Sequence, residues 1–85
     1  MSTYKYLGDA SDPLVRRAFA AYYRSAPAQG SLPEPASTSY LCELDGKQYV
    51  VLENMNGILA VYRVRAYDGI LKRLRRWPVA LGEAR

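Results

Sequence analysis

The chain has 85 residues, a formal net charge of +4, one cysteine and no histidine, and 49% of its residues are hydrophobic. These values are typical of one small globular domain with a limited core. Since histidine is absent and Cys42 is the single cysteine, the chain lacks the residues for a Cys/His zinc site, a histidine-dependent catalytic triad or an intramolecular disulfide.

The sequence favours a cytoplasmic protein. Residues 1–6 are not followed by an apolar run of the signal-peptide kind. No apolar stretch approaches the roughly 20 residues that a membrane helix needs. A small oxidised domain usually carries paired cysteines, which this chain does not have. We therefore expect no membrane segment, no bound metal and no cofactor.

The N-terminal part predicts one helix over about residues 12–24. Ser11 or Asp12 followed by Pro13 is typical of a helix start, because a short polar side chain caps the first turn and proline tolerates its first position. A single apolar stripe recurs at helical spacing and consists of Leu14, Val15, Ala18, Phe19, Tyr22 and Ala26. Before the helix, residues 4–7 predict a short strand. After it, residues 25–37 hold three of the five prolines and predict a linker.

The rest of the chain predicts an antiparallel β-meander over residues 38–77. Asp45-Gly46, Asn56-Gly57 and Asp68-Gly69 are strong hairpin-turn signals, because tight turns need residues that accept positive φ. They separate strands at residues 38–44, 47–53 and 58–65. Residues 70–77 fit either a strand or a helix, and the strand is favoured. The expected fold is a single α+β domain, residues 1–85, with the helix on a three- or four-stranded meander and a short tail at 78–85.

Strand alternation predicts two faces of this sheet. The face expected to pack on the helix consists of Tyr40, Cys42, Leu44, Tyr49, Val51, Ala60, Tyr62 and Val64. The apolar residues of the other face are Leu41, Val50, Leu52, Leu59 and Val61. An exposed apolar patch of this size is typical of an interaction surface. It would be covered by the C-terminal segment or by a second copy of the chain, so one hypothesis is a homodimer through this face.

Positive charge is concentrated near the C-terminus. Residues 58–85 carry seven basic and two acidic side chains, whereas residues 1–57 sum to −1. The candidate partner-binding patch consists of Arg63, Arg65, Lys72, Arg73, Arg75, Arg76 and Trp77. Arginines bind phosphates and carboxylates, and an adjacent tryptophan can stack on a base. The expected partner is nucleic acid or an acidic protein. The alternative interpretation, slightly favoured, is a solvated edge strand whose charges prevent aggregation, with Trp77 in the core. Tyr67 lies at the tip of the same hairpin.

The sequence thus favours a non-enzymatic binding or accessory module of bacterial or mobile-element type, with no catalytic residues assigned. In size, basic charge and terminal hairpin it also resembles small bacterial ribonuclease toxins of the RelE/ParE type. That resemblance involves no sequence motif, and one predicted helix stands where those toxins usually have two. It implies a histidine-free RNase, in which cleavage would depend on Arg65 and Tyr67.

Overall fold

Five antiparallel strands form one sheet, and a single helix packs on it within the part of the chain that the structure describes. The structure is a computed structural model, and it describes residues 3–25 and 32–82. The elements are β1 Tyr4–Gly8, α1 Pro13–Arg24, β2 Tyr40–Leu44, β3 Lys47–Asn54, β4 Gly57–Val64, β5 Leu71–Arg73 and a 3-10 turn at Val79–Leu81. The strands follow chain order across the sheet. The predicted α+β meander with an N-terminal helix is confirmed.

The sheet has more strands than predicted because β1 joins it. Tyr4 and Tyr6 pair with Leu44 and Cys42 of β2. The turn after β2 fixes the start of β1, since the Thr3 N–H donates to the Asp45 carboxylate at 2.8 Å and the Asp45 N–H donates to the Thr3 carbonyl at 2.9 Å. At the other edge, residues 71–73 of the favoured strand 70–77 pair with β4.

Helix α1 begins and ends as its sequence predicts. Asp12 caps it by accepting the Leu14 N–H at 2.9 Å, and Pro13 occupies the first turn. Val15, Ala18 and Tyr22 are buried along one side of the helix. They pack in one cluster with six buried sheet residues, which are Leu41, Val50, Leu52, Ala60, Tyr62 and Val64.

This cluster shows that the predicted assignment of faces was wrong. The helix covers Leu41, Val50 and Leu52, which were expected on the opposite face. Cys42, Tyr49 and Val51, which were expected under the helix, lie on the opposite face, whereas the predicted helix-side residues of β4 do lie under the helix. The parity of β4 relative to β3 differs from the prediction because of a β-bulge: Glu53 pairs with Ile58, but Leu52 pairs with Ala60, so Leu59 is an extra residue on β4. One extra residue reverses which face each later side chain of β4 occupies. The β4 side chains that share a face with a given set of β3 side chains are therefore not those expected from a regular turn.

The C-terminal segment covers the second face. Trp77 and Leu81 pack against a cluster that includes Cys42, Val51 and Val61. Of the five residues predicted for an exposed dimer face, three lie under the helix, and Val61 lies in this second cluster. All four are buried, and Leu59 is half-buried. The predicted exposure of this set was therefore wrong.

The described part of the predicted linker is attached to the domain. The Tyr22 hydroxyl donates to the Pro33 carbonyl at 3.0 Å, and the Ala36 N–H donates to the Glu53 carbonyl at 2.7 Å. Leu32 packs against the helix-side cluster. Residues 26–31 of the predicted linker and 83–85 of the predicted tail lie outside the described residues.

Candidate functional site

The β4–β5 hairpin presents basic side chains on the sheet face opposite the helix. On β4, Arg63 is exposed between the buried residues Tyr62 and Val64. It lies directly opposite Lys72 of β5, and both residues are exposed. Backbone hydrogen bonds from Arg65 to Ile70 and from Leu74 to Val61 fix the same register on both sides of this pair. The fold therefore holds two cations side by side across neighbouring strands.

This pairing of like charges is unfavourable for an isolated sheet. Charges of the same sign placed directly opposite one another destabilise a strand pair, whereas opposite charges stabilise it. Among the described residues, 3–25 and 32–82, no carboxylate lies within ion-pairing distance of Arg63 or Lys72. An anion bound between the two side chains would remove the repulsion.

Arg65 differs from its neighbours because it is held inside the hairpin loop. Its guanidinium contacts both carboxylate oxygens of Asp68, with Nη2 at 2.8 Å and Nε at 3.1 Å. The hydrogen bonds from Arg65 hold the pKa of Asp68 below its ordinary value. The loop closes through a 2.7 Å bond from the Gly69 N–H to the Arg65 carbonyl, and Gly69 has φ +71°, which favours glycine.

Tyr67 completes this surface. Its side chain is 81% exposed, and the Arg65 guanidinium carbon lies 5.1 Å from the ring centroid. Arg63, Arg65, Tyr67 and Lys72 line one shallow concavity, which we call the hairpin face. It combines donors suited to phosphate or carboxylate oxygens with an aromatic ring suited to stacking.

The structure divides the basic patch predicted from the sequence. Arg73 lies on the helix side, where its guanidinium is 5.7 Å from the Tyr22 ring centroid and donates to the Ser25 hydroxyl at 3.3 Å. Trp77 is half-buried in the second cluster, and its indole N–H donates to the Gly82 carbonyl at 2.9 Å. Arg75 and Arg76 are exposed after β5 ends. Only Arg63, Arg65 and Lys72 of the predicted patch share the hairpin face.

One cation was missed by sequence reasoning. Lys47, the first residue of β3, lines a second concavity together with Arg63 and Arg65. It lies within residues 1–57, whose charges nearly cancel, so a division by position in the sequence does not detect it. Glu43 lines the same concavity but lies opposite Lys5 in the β1–β2 ladder. The strand register, rather than local composition, is the signal that identifies Lys47.

Cys42 belongs to the core rather than to this surface. It is fully buried, and its burial raises the pKa of the thiol to about 11. Since the thiolate is the reactive form, the side chain is protonated at neutral pH and behaves as a small apolar group.

The chain matches no protein-family model, no curated protein and no solved structure at a significant level. Among the described residues, no helix has the length and apolar character needed to cross a bilayer. Inference about function therefore depends on the geometry and charge of the residues themselves.

Proposed function

We propose that this protein is a non-enzymatic binding module that contacts nucleic acid through the hairpin face. The observation that carries the proposal is the pair of like charges at Arg63 and Lys72, which are directly opposite each other and are exposed beside Tyr67. A phosphate group would offset their repulsion. Backbone phosphates are the dominant source of affinity in protein–nucleic acid complexes.

Tyr67 makes single-stranded nucleic acid the preferred form of the partner. Its ring is exposed, and the Arg65 guanidinium packs near it at cation–π distance. An exposed aromatic ring next to phosphate-binding side chains stacks on an unpaired base without selecting its sequence. Bases inside a duplex do not offer that surface. We therefore expect weak sequence preference and stronger binding to single strands than to duplexes.

The proposal extends to a cytoplasmic accessory protein of bacterial or mobile-element type. A small basic domain without histidine or paired cysteines is consistent with that setting. A homodimer through Leu41, Val50, Leu52, Leu59 and Val61 is not favoured, because four of these residues are buried. An acidic protein remains the alternative partner for the hairpin face.

Binding of a labelled single-stranded oligonucleotide, followed by fluorescence anisotropy over a salt series, tests this proposal. With two phosphate contacts, at Arg63 and Lys72, we expect log K to fall against log salt with a slope of about −1.4. Arg63→Glu should weaken binding at least about tenfold, since it removes one contact and repels the phosphate. This variant should fold, because it replaces a like-charge pair by an opposite-charge pair.

Arg16→Glu is the matched control, because Arg16 is an exposed arginine of α1 and its substitution changes the net charge by the same amount. It should leave affinity within about twofold of the original protein. If Arg16→Glu and Arg63→Glu weaken binding equally, binding reflects overall charge and the proposed site is wrong.

The same samples distinguish binding from the RNase alternative. Single-stranded RNA recovered intact after incubation supports a binding role. Cleavage that is lost in Tyr67→Phe would instead support the ribonuclease hypothesis. The bidentate contact between Arg65 and Asp68 argues against a free catalytic arginine at that position.

A further inference from the structure

A second basic surface lies on the other side of the β5 strand, between that strand and α1. Arg17, Ala20 and Arg24 of the helix line this groove on one side, and Ile70 and Leu71 line it on the other. Ile70 is 47% exposed, so the groove has an apolar floor open to solvent. The hairpin face lies on the opposite face of the sheet, so the two surfaces are separate.

Two arginines line the groove, Arg17 and Arg24, and a third, Arg73, lies on the same helix-facing side of β5. Arg17 and Arg24 are seven positions apart on α1, which places them roughly 10 Å apart along the helix axis. Arg73 of β5 is held in position by the Tyr22 ring and the Ser25 hydroxyl. Within residues 3–25 and 32–82, none of the three forms an ion pair with a carboxylate. This side of β5 therefore presents positive charge to a ligand.

The outer edge of β5, which faces away from β4, lies beside the groove and carries backbone hydrogen-bonding groups. The Arg65 N–H donates to the Ile70 carbonyl, and the Leu74 N–H donates to the Val61 carbonyl. Because bonding alternates along an antiparallel pair, Lys72 also bonds toward β4, whereas the backbone groups of Leu71 and Arg73 point outward. β5 is the edge of the described sheet, so these groups form a short template for another strand.

We propose that an extended acidic segment of a partner protein adds as a sixth strand along the outer edge of β5, with its side chains directed to the arginines of the adjacent groove. Strand pairing would satisfy the outward backbone groups of Leu71 and Arg73. Side chains on the helix-facing side of the added strand would place carboxylates at the three arginines and an apolar group on the floor near Ile70. Charge complementarity selects this occupant. A second copy of β5 would bring Lys72 and Arg73 against the same basic residues, and nucleic acid lacks the amide groups for strand pairing.

A synthetic peptide with the pattern Glu-Thr-Val-Thr-Glu-Thr-Glu is a suitable probe, because an extended strand then has its glutamates and one valine on the same side. We expect it to bind the full chain and to slow amide hydrogen exchange at Leu71 and Arg73 by about tenfold when its concentration is ten times Kd. The Lys72 N–H already faces β4, so its exchange should change much less. The same peptide with alternate backbone amides methylated keeps its charge but cannot pair as a strand, and it should bind at least about tenfold more weakly.

Protein variants separate groove charge from overall charge. Arg24→Glu should weaken peptide binding about tenfold, because it replaces an attractive charge by a repulsive one at the exposed end of the helix. Arg16→Glu is again the matched control and should have little effect. Both are surface substitutions on α1, and circular dichroism spectra that match the original chain confirm that the helix is retained.

Three results would overturn the proposal. The first is no saturable binding at peptide concentrations up to about 1 mM, because a dissociation constant above that concentration is too weak for a specific contact of this kind. The second is equal binding of the methylated peptide, and the third is equal loss in Arg24→Glu and Arg16→Glu. Since Arg63→Glu tests only the hairpin face, either proposal can fail while the other holds.

Discussion

Arg63 and Arg73 have the same charge but face different surroundings. Arg63 is opposite Lys72, with no described carboxylate within ion-pairing distance, whereas Arg73 rests against Tyr22 and donates to Ser25. Ten positions apart in the chain, they lie on opposite faces of the sheet. Residue type alone makes them equivalent, and the strand register separates them into two surfaces.

Trp77 illustrates a residue whose role is structural. It packs in the second cluster and donates its indole N–H to Gly82. Trp77→Ala should lower the free energy of unfolding by about 2 kcal/mol or more, and Trp77→Phe by about 1 kcal/mol, because the latter loses mainly the hydrogen bond. Urea denaturation measures both. Folded Trp77→Phe should bind oligonucleotide normally, and a large loss of affinity would indicate a direct stacking role.

Cys42 should be unreactive until the protein unfolds. Its thiol pKa of about 11 leaves about one molecule in a thousand as thiolate at pH 8, and the side chain is buried. Alkylation by iodoacetamide at pH 8, followed by mass spectrometry, should be at least about a hundredfold slower for the folded protein than in concentrated urea. Comparable rates under the two conditions would show that Cys42 is accessible in the folded state.

Asp68 makes the stability of the hairpin loop depend on pH. The hydrogen bonds from Arg65 lower its folded pKa below the unfolded value, so this contact stabilises the protein above about pH 4 and is lost as acid protonates the carboxylate. The difference in unfolding free energy between the original protein and Asp68→Asn should therefore shrink as the pH falls below that value. Thermal unfolding over a pH series measures it, and a constant difference would contradict the assigned cause.

The same substitution should strengthen binding at neutral pH. Asp68→Asn removes the described carboxylate nearest the hairpin face and leaves Arg65 free to contact phosphate. We expect oligonucleotide affinity to rise by about two- to fivefold at low salt and by less at high salt. Anisotropy titrations at two salt concentrations measure this change. Unchanged or weaker affinity would show that the Arg65–Asp68 pair, rather than a free Arg65, forms the contact surface.

At the scale of elements, helix α1 depends on its N-terminal cap. The Asp12 side chain accepts the Leu14 N–H, and the buried side of the helix covers the sheet. Asp12→Ala should destabilise the fold by about 1 kcal/mol, whereas Asp12→Asn should cost much less because asparagine also caps helices. Chemical denaturation compares the two. Equal losses would show that the carboxylate charge, rather than the capping hydrogen bond, stabilises this end.

The turn signals predicted the meander well, but not its detailed pairing. Asp45 and Gly46 have φ of 52° and 82°, which is the backbone shape that their hairpin signal requires. Gly57, in contrast, lies at the start of β4 rather than within the turn. The bulge at Leu59 was not predictable, because residues on both faces of β4 are apolar and a slip by one residue leaves the pattern unchanged.

The same limit explains how much of the candidate site the sequence could predict. Charge counting located the basic hairpin and its members Arg63, Arg65 and Lys72. It could not exclude Trp77, because a tryptophan beside arginines fits both stacking and core packing. The contact of Asp68 with Arg65 depends on loop closure, and the position of Lys47 depends on pairing between distant strands. The Asp68–Arg65 contact and the position of Lys47 can therefore be identified only from the three-dimensional structure.

At the scale of the whole molecule, two basic surfaces lie on opposite faces of one small sheet. The helix covers one face, and the C-terminal segment covers much of the other. Because side chains alternate along the β4–β5 hairpin, Arg63 and Lys72 lie on one face of the sheet and Arg73 lies on the other. The proposed nucleic-acid contact and the proposed peptide contact would therefore use separate surfaces.

The most direct test of the nucleic-acid proposal is NMR mapping of a short single-stranded oligonucleotide on the isotope-labelled protein at low salt. The account predicts amide shifts concentrated at Arg63, Arg65, Tyr67 and Lys72 that disappear as salt is added, with Arg17 and Arg24 unaffected. Shifts concentrated on the helix, or no shifts at low salt, would contradict it.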